Sequence, residues 1–498
     1  MLLTPSDVYI RYRPSICDLR VFLKEHGEPG AEPSPYEKVL RTLGQRHEQR
    51  HLETFPEYED LRTVRDQTEL VERTKAAIDA GVPVIYQAML RTDVSIGGVE
   101  CEVVGRPDFI IKNGEGYKIR DSKMSRRINK VDHPEILLQL QVYGWLFGQN
   151  FEHVDFSLEV HAGSGEIVPV PYEGPDAVLE TLEQIVSIRR LESEPFSPVG
   201  VSKCGACVFH DRCWEMAEAS RSIALVRSVD QELAVALYGQ SIRTVDQLIE
   251  NFDETSLAEL QRPQGRKLRR VGSTAISILR NAKSLATGKE AFLCNPWIRP
   301  SANYIMFDLE GLPPQLDEWQ KVYLWGMQVF GETPGEYTAS TAGFGPEGER
   351  EGWEIFLANA ASIFGAYGDI PFVHWATYEA TLLKVYVERF GDDLGIAARV
   401  RKNLINLLPI VETSIVLPLP SYSLKVIEKY VGFRRTQDEY GGDWSMARYV
   451  EAVETEDEAL RNAVMDDIRT YNREDLEATW SVFQWLLSKR VTIDPTIS

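Results

Sequence analysis

The segment Gly105-Arg106-Pro107-Asp108 is followed thirteen residues after its aspartate by Asp121-Ser122-Lys123, and the residues between leave little choice of local structure. Phe109-Ile110-Ile111 is an apolar run, Lys112-Asn113-Gly114-Glu115-Gly116 is polar and glycine-rich, and Tyr117-Lys118-Ile119 leads back into Asp121. That pattern predicts two strands joined by a turn. In an extended strand residues i and i+2 share a face, so Asp121 and Lys123 point the same way. A hard divalent cation takes oxygen ligands, which Asp121 supplies. Such an ion lowers the pKa of its water, and a neighbouring ammonium orients the nucleophile or steadies developing negative charge. An Asp and a Lys two apart on a strand are, by themselves, most often solvated charges, so the surroundings decide. If they are functional, the chemistry they suit is phosphodiester hydrolysis.

The surroundings are informative. Gly44-Gln45-Arg46-His47 lies in a helical segment, and Gln139-Leu140-Gln141-Val142-Tyr143 puts Gln139 and Tyr143 on one helix face. In this order the elements resemble the RecB-type branch of the PD-(D/E)xK nuclease superfamily, although the spacing before His47 differs by one residue. The resemblance implies His47, Asp108 and Asp121 as ligands of Mg²⁺ or Mn²⁺. It implies Lys123 as the catalytic lysine and Gln139 with Tyr143 as the helix that positions the lysine or the substrate. His51, one helical turn on, competes with His47.

Three of the six cysteines crowd together as Cys204, Cys207 and Cys213, which is ligand spacing, and Cys17 is the plausible fourth. Four thiolates hold zinc or an iron-sulfur cluster, and spacing does not choose between them. Disulfides are not expected without a secretory signal. Members of the same RecB-type branch place one cysteine before the nuclease core and three after it around a [4Fe-4S] cluster. The resemblance therefore implies an Fe-S staple, worth about 5 kcal/mol if it acts as a covalent crosslink over so long a loop.

Near the other end, Tyr304-Ile305-Met306-Phe307-Asp308-Leu309-Glu310-Gly311 reads as a buried strand with two acids on one face. Phe372-Val373-His374-Trp375 leads into a helix carrying Glu379, and Tyr471 and Asp475 share a face of the last long helix. Four converging carboxylates repel one another unless cations intervene, so Asp308, Glu310, Glu379 and Asp475 fit a two-metal site. These residues resemble the DEDD exonucleases of the RNase H-like superfamily, with Ser421-Tyr422-Ser423-Leu424-Lys425 preceding the last helix. Tyr471 would then position the attacking water. Glu379 departs from the family's usual aspartate.

Length predicts about three domains. The expected fold class is multidomain α/β: a three-layer PD-(D/E)xK fold with its Fe-S staple over 1–217, a helical linker over 218–292, and an RNase H-like α/β domain over 293–498. The combination resembles RecB-family nucleases in which both domains occur. Gly239 through Ile242, Thr244 and Leu248 resembles half of a helix-hairpin-helix element, which grips phosphates through turn amides, and Arg262, Arg266, Lys267, Arg269 and Arg270 lie nearby. The net charge of −21 runs against a generally basic binder. Local stripes, including Lys118, Arg120, Arg126, Arg127 and Lys130, are expected to supply a salt-sensitive contact instead. The expected partner is DNA, as single strands or ends, with RNA and a helicase as open alternatives. No apolar run spans a bilayer and no signal pattern opens the chain, so a cytoplasmic location and no membrane partner are expected. The competing readings are one cutting site beside a binding module, and a non-catalytic cluster-bearing scaffold or sensor.

Overall fold

The structure is a computed structural model of the 498-residue chain, and it describes residues 1–264, 267–313, 321–341, 343 and 345–490. Arg266 of the basic run lies outside the described residues. The chain forms two compact units, Met1–Glu215 and Met216–Ser498.

The first unit is built on a six-stranded sheet in the order Glu59–Asp60, Val84–Tyr86, Phe109–Asn113, Gly116–Ser122, Phe156–His161, Ile167–Val170. The two central strands are the hairpin expected from the sequence, closing at Asn113 opposite Gly116. Gly114 takes φ +62° in the two-residue turn, the left-handed conformation that tight hairpins require. Gly116–Ser122 then runs parallel to Phe156–His161, with Ser122 opposite His161. Parallel neighbours need a crossover, and the helix Pro134–Asn150 is part of it. That helix buries Ile136, Leu140, Val142, Trp145, Leu146 and Phe147, apolar nearly all round because protein surrounds it. A three-stranded sheet, Leu2–Leu3 with Val99–Gly105 and Leu90–Ile96, also packs on it. A Cβ on Gly105 would lie 2.6 Å from Leu146 Cδ1, so only glycine lets the helix come so close. The helix Pro35–Leu52 starts on a Ser34–Glu37 capping box and lies over the strand Gly116–Ser122.

The second unit opens with short helices, as expected, around Ile223, Leu233, Leu237, Val245, Leu248 and Ile278. Among them stands an unforeseen antiparallel hairpin, Gln261–Gln264 against Lys267–Arg270. The rest is built on a five-stranded mixed sheet in the order Thr338–Thr341, Lys321–Gly331, Asn303–Leu312, Phe372–His374, Leu404–Asn406. The first three strands are antiparallel and the last two pairings are parallel. Phe307, Trp325, Trp353, Phe356 and Tyr386 fill one face. The 31-residue helix Glu458–Ser488, capped by Asp457, packs across the two longest strands.

Gly326 sits opposite Asp308 in that sheet, and a Cβ there would lie 1.7 Å from Asn472 Oδ1 on the long helix. The missing side chain is what lets Asn472 reach Asp308. Gly326→Ala is expected to destabilise the fold by about 1–3 kcal/mol, as overpacking does, visible as a lower Tm. An unchanged Tm would mean that Asn472 leaves Asp308 at no cost.

Candidate active sites

Pro107 introduces Asp108 just ahead of its strand, and the hairpin register carries it to the far end of the partner strand. Asp108 Oδ2 accepts from the Ser122 amide at 2.8 Å and Oδ1 from Gln87 Nε2 at 3.0 Å. Asp121, buried one residue away, holds the Lys123 ammonium in an ion pair at 2.5 Å. Burial, then the neighbouring charges of Asp121 and Glu48, push the Asp108 carboxyl well above its ordinary range. Burial pulls Lys123 the other way, but Asp121 and Asp108 outweigh it and hold the ammonium charged.

Sequence reasoning missed Glu48, which faces this group from the helix Pro35–Leu52. Gln87, at φ +57°, places its amide between two carboxylates, donating to Glu48 Oε1 at 2.7 Å as well as to Asp108. Tyr86 Oη donates to the same Glu48 oxygen at 2.6 Å. The ring of His47, the expected ligand, stacks on His161 at 4.2 Å and hydrogen-bonds the His161 backbone, and its Nε2 is buried without a hydrogen-bond partner among the described residues. His161 also stacks on His51 at 3.9 Å, and His51 Nε2 meets Arg120 at 2.9 Å. Burial first, then Arg120, lowers His51 to about 4, and burial with its histidine neighbours lowers His161 to about 3. Tyr143 stands near the carboxylates, its phenol kept protonated by burial and then by Asp121, Asp108 and Glu48. Gln139 donates to the Pro5 carbonyl at 3.3 Å, and its buried Oε1 has no hydrogen-bond partner among the described residues.

In the second unit Asp308, Glu310 and Asp475 each offer an oxygen within 4.8 Å of the others. Asn472 donates to Asp308 Oδ2 at 2.7 Å and accepts from Tyr337 at 2.9 Å. Burial, then Asp475, Glu310 and Glu379, raise the Asp308 carboxyl far above its usual range. Burial and Asp475 push Glu310 up to about 8. Glu379 lies outside the group of three and meets His374 Nδ1 at 3.0 Å, both side chains buried. The Tyr471 phenol is held protonated by burial and by Asp475, and its ring centroid is 4.5 Å from the Lys425 ammonium. Sequence reasoning also missed Arg435, whose guanidinium meets Asp475 from the loop beyond Leu424–Tyr430.

The thiols of Cys17, Cys204 and Cys207 all act on that of Cys213, which burial and then these neighbours push up to about 11. The fold thus brings the four cysteines together. No three of their sulfurs lie within 4.8 Å of one another. Buried Arg20 hydrogen-bonds the Arg13 and Ser15 carbonyls just before Cys17.

The turn after Gly239 is not free to hold phosphate as expected. The amides of Gln240, Ser241 and Ile242 bond carbonyls at Leu237 and Tyr238. Those of Arg243 and Thr244 bond the Gln247 side chain, and that of Val245 bonds Arg221. Several of the expected basic groups are also neutralised. Lys118 and Arg120 share Glu159, Arg262 meets Asp230, and Arg270 meets Glu259. Lys267 and Arg269 are exposed on the hairpin.

Residues 21–214 match the PD-(D/E)XK nuclease superfamily and residues 305–487 match the RNase H superfamily. The chain is therefore a multidomain protein of mixed α/β architecture that carries two nuclease-family domains in series. No curated protein matches it. Among solved structures, the crystal structure of SSO0001 is 17% identical, with 43% of this chain and 85% of that one covered and a TM-score of 0.24. A proposed exonuclease from Eubacterium rectale is 12% identical, with 42% and 94% covered and a TM-score of 0.24. No described helix is long and apolar enough to cross a membrane.

Asp308 and Glu310 keep protons in the folded state that the unfolded chain sheds. In EDTA, stability is therefore expected to fall as pH rises from the ordinary carboxylate range towards about 8. Glu310→Gln is expected to flatten that slope in thermal scans. A slope unchanged in this variant would show that Glu310 is ionised throughout.

Proposed function

We propose that the chain is a metal-dependent DNA exonuclease with a hydrolytic site in each nuclease-family domain. The observation that carries this reading is that each domain sets a lysine against a buried aspartate within a group of acids: Lys123 on Asp121, and Lys425 on Asp475. Asp108, Asp308 and Glu310, whose carboxyls are pushed up by burial and by neighbouring acids, belong to donor sets that hard divalent cations relieve.

In the first site Asp108 and Asp121, with Glu48 beside them, would hold Mg²⁺ or Mn²⁺, and in the second Asp308, Glu310 and Asp475 would do so, with Glu379 behind. Bound there, the ion supplies an activated water and shields the phosphate. Lys123, kept cationic by its carboxylates, stabilises charge on the phosphate. Tyr143 borders the same group as a neutral donor. In the second site Tyr471, also neutral, orients the attacking water by hydrogen bonding, while Asn472 fixes Asp308. His47, stacked on His161, supports the helix that presents Glu48, and Gln139 secures the N-terminal segment through Pro5.

Cys17, Cys204, Cys207 and Cys213 would hold a [4Fe-4S] cluster. The donor set is four thiols, which suits such a cluster as it would zinc, and the resemblance to cluster-bearing RecB-type nucleases favours the cluster. The role is a structural staple between the N-terminal segment and the end of the first unit. DNA ends or single strands are the proposed substrate, with the exposed Lys267 and Arg269 as backbone contacts and RNA as the alternative. A second reading, in which the RNase H-like domain binds without cutting, draws on the two cations that already occupy Asp475.

End-labelled single- and double-stranded DNA incubated with Mg²⁺ or Mn²⁺ tests the proposal. Lys123→Ala and Asp308→Ala are each expected to lower the cleavage of one site by about 10²–10³-fold, and the double variant to abolish cutting. Wild-type protein that cuts nothing would overturn the nuclease reading. Loss of all activity in one single variant, with none in the other, would leave one domain as a binding module. Anaerobically purified protein is expected to contain iron and absorb in the visible. Stoichiometric zinc without iron would overturn the cluster assignment.

A further inference from the structure

Asp475 meets two cations through one atom. The Lys425 ammonium and the Arg435 guanidinium both bind Oδ1, while Asp475 also offers a carboxylate oxygen to the group with Asp308 and Glu310. The two cations are not alike. Arg435 has a side chain only 2% exposed and is matched by a fork of two 2.8 Å hydrogen bonds to Glu428, itself buried, with Glu474 at 3.9 Å. It is a fixed part of the fold, since removing it would strand the buried Glu428. Among the described residues Lys425 pairs with Asp475, and its charge also acts on Asp308 and Glu310; it is 29% exposed and stands over the face of Tyr471, the residue placed to orient water.

A two-metal site sets its ions about 3.5–4 Å apart with a shared carboxylate between them. Here, among the described residues, the oxygens that converge within 4.8 Å come from three residues. Glu379, the fourth acid, is engaged with His374. A second divalent ion on Asp475 would sit beside two resident positive charges, and like charges at such range repel by several kcal/mol at an effective dielectric of about 20.

We propose that Lys425 is the second cation of the RNase H-like site, so that this site takes one divalent ion rather than two. The inference rests on the reading of that site as a phosphodiester-cutting one, and it makes its electrostatics a counterpart of the first site: one ion region, one aspartate, one ammonium. Arg435 is the positioning residue, holding Asp475 through the same Oδ1 that meets Lys425.

Counting bound Mn²⁺ on the full-length chain by electron paramagnetic resonance tests this. The count for wild type minus that for an Asp308→Asn/Glu310→Gln variant gives the ions held in this site. One is expected. Two would overturn the proposal while leaving the nuclease reading intact, and none would overturn both. Lys425→Met is expected to admit a second ion or to bind the first roughly tenfold more tightly, while Lys425→Arg keeps the count at one. A Met variant with wild-type count and affinity would also overturn the proposal. If that variant fails to fold, the wild-type and Lys425→Arg counts decide.

Discussion

Buried negative charge is the constraint around which both units are arranged. Carboxylates in a dry strand end repel one another and resist ionisation, and each acidic group here is met by hydrogen-bond donors or fixed cations. Ser122 and Gln87 donate to Asp108, Lys123 sits on Asp121, Asn472 donates to Asp308, and Lys425 and Arg435 meet Asp475. Several of these partners depend on backbones that come unusually close. Gly105 admits the helix that carries Tyr143, and Gly326 admits the helix that carries Asn472 and Asp475. Packing in the two units thus serves electrostatics, because a displaced helix would leave an acid without its partner.

Much of this was legible in the sequence where chemistry coincided with a strict period. Asp308 and Glu310 stand two apart on an apolar strand, Tyr471 and Asp475 four apart on a helix, and Asp121 and Lys123 flank one residue at a strand end. In each case spacing alone puts the pair on one face. The first hairpin could be read from its glycines. Glu48 could not, because neighbours on a helix point about 100° apart, and only tertiary placement brings Glu48 to Gln87 and Tyr86. Arg435 was hidden for a different reason. It arrives from a loop forty residues before Asp475, and no periodicity links a loop residue to a helix. The basic hairpin Gln261–Arg270 was read as helical because its charges drowned the short alternation of a strand pair too exposed to carry an apolar face.

The overall charge of −21 and a nucleic-acid partner are compatible because charge acts locally. Several basic residues that looked available in the sequence are committed internally, as Lys118 and Arg120 are to Glu159. Those left exposed include Lys267 and Arg269 on the hairpin Gln261–Arg270. Counting lysines and arginines along the chain therefore overstates the attractive surface, and the fold distributes what remains to a few places.

The parallel pairing that sets Ser122 against His161 fixes the strand Gly116–Ser122 from its second side, as the hairpin fixes it from the first. Side chains alternate faces along a strand, so inserting or deleting one residue between Tyr117 and Asp121 would turn the aspartate towards the opposite layer and bring Arg120 or Ser122 in its place. Length changes at the Gly114-Glu115 tip carry no such inversion. Natural or engineered variation in chain length should accordingly gather at the tip, while the strand itself tolerates substitution but no change of count.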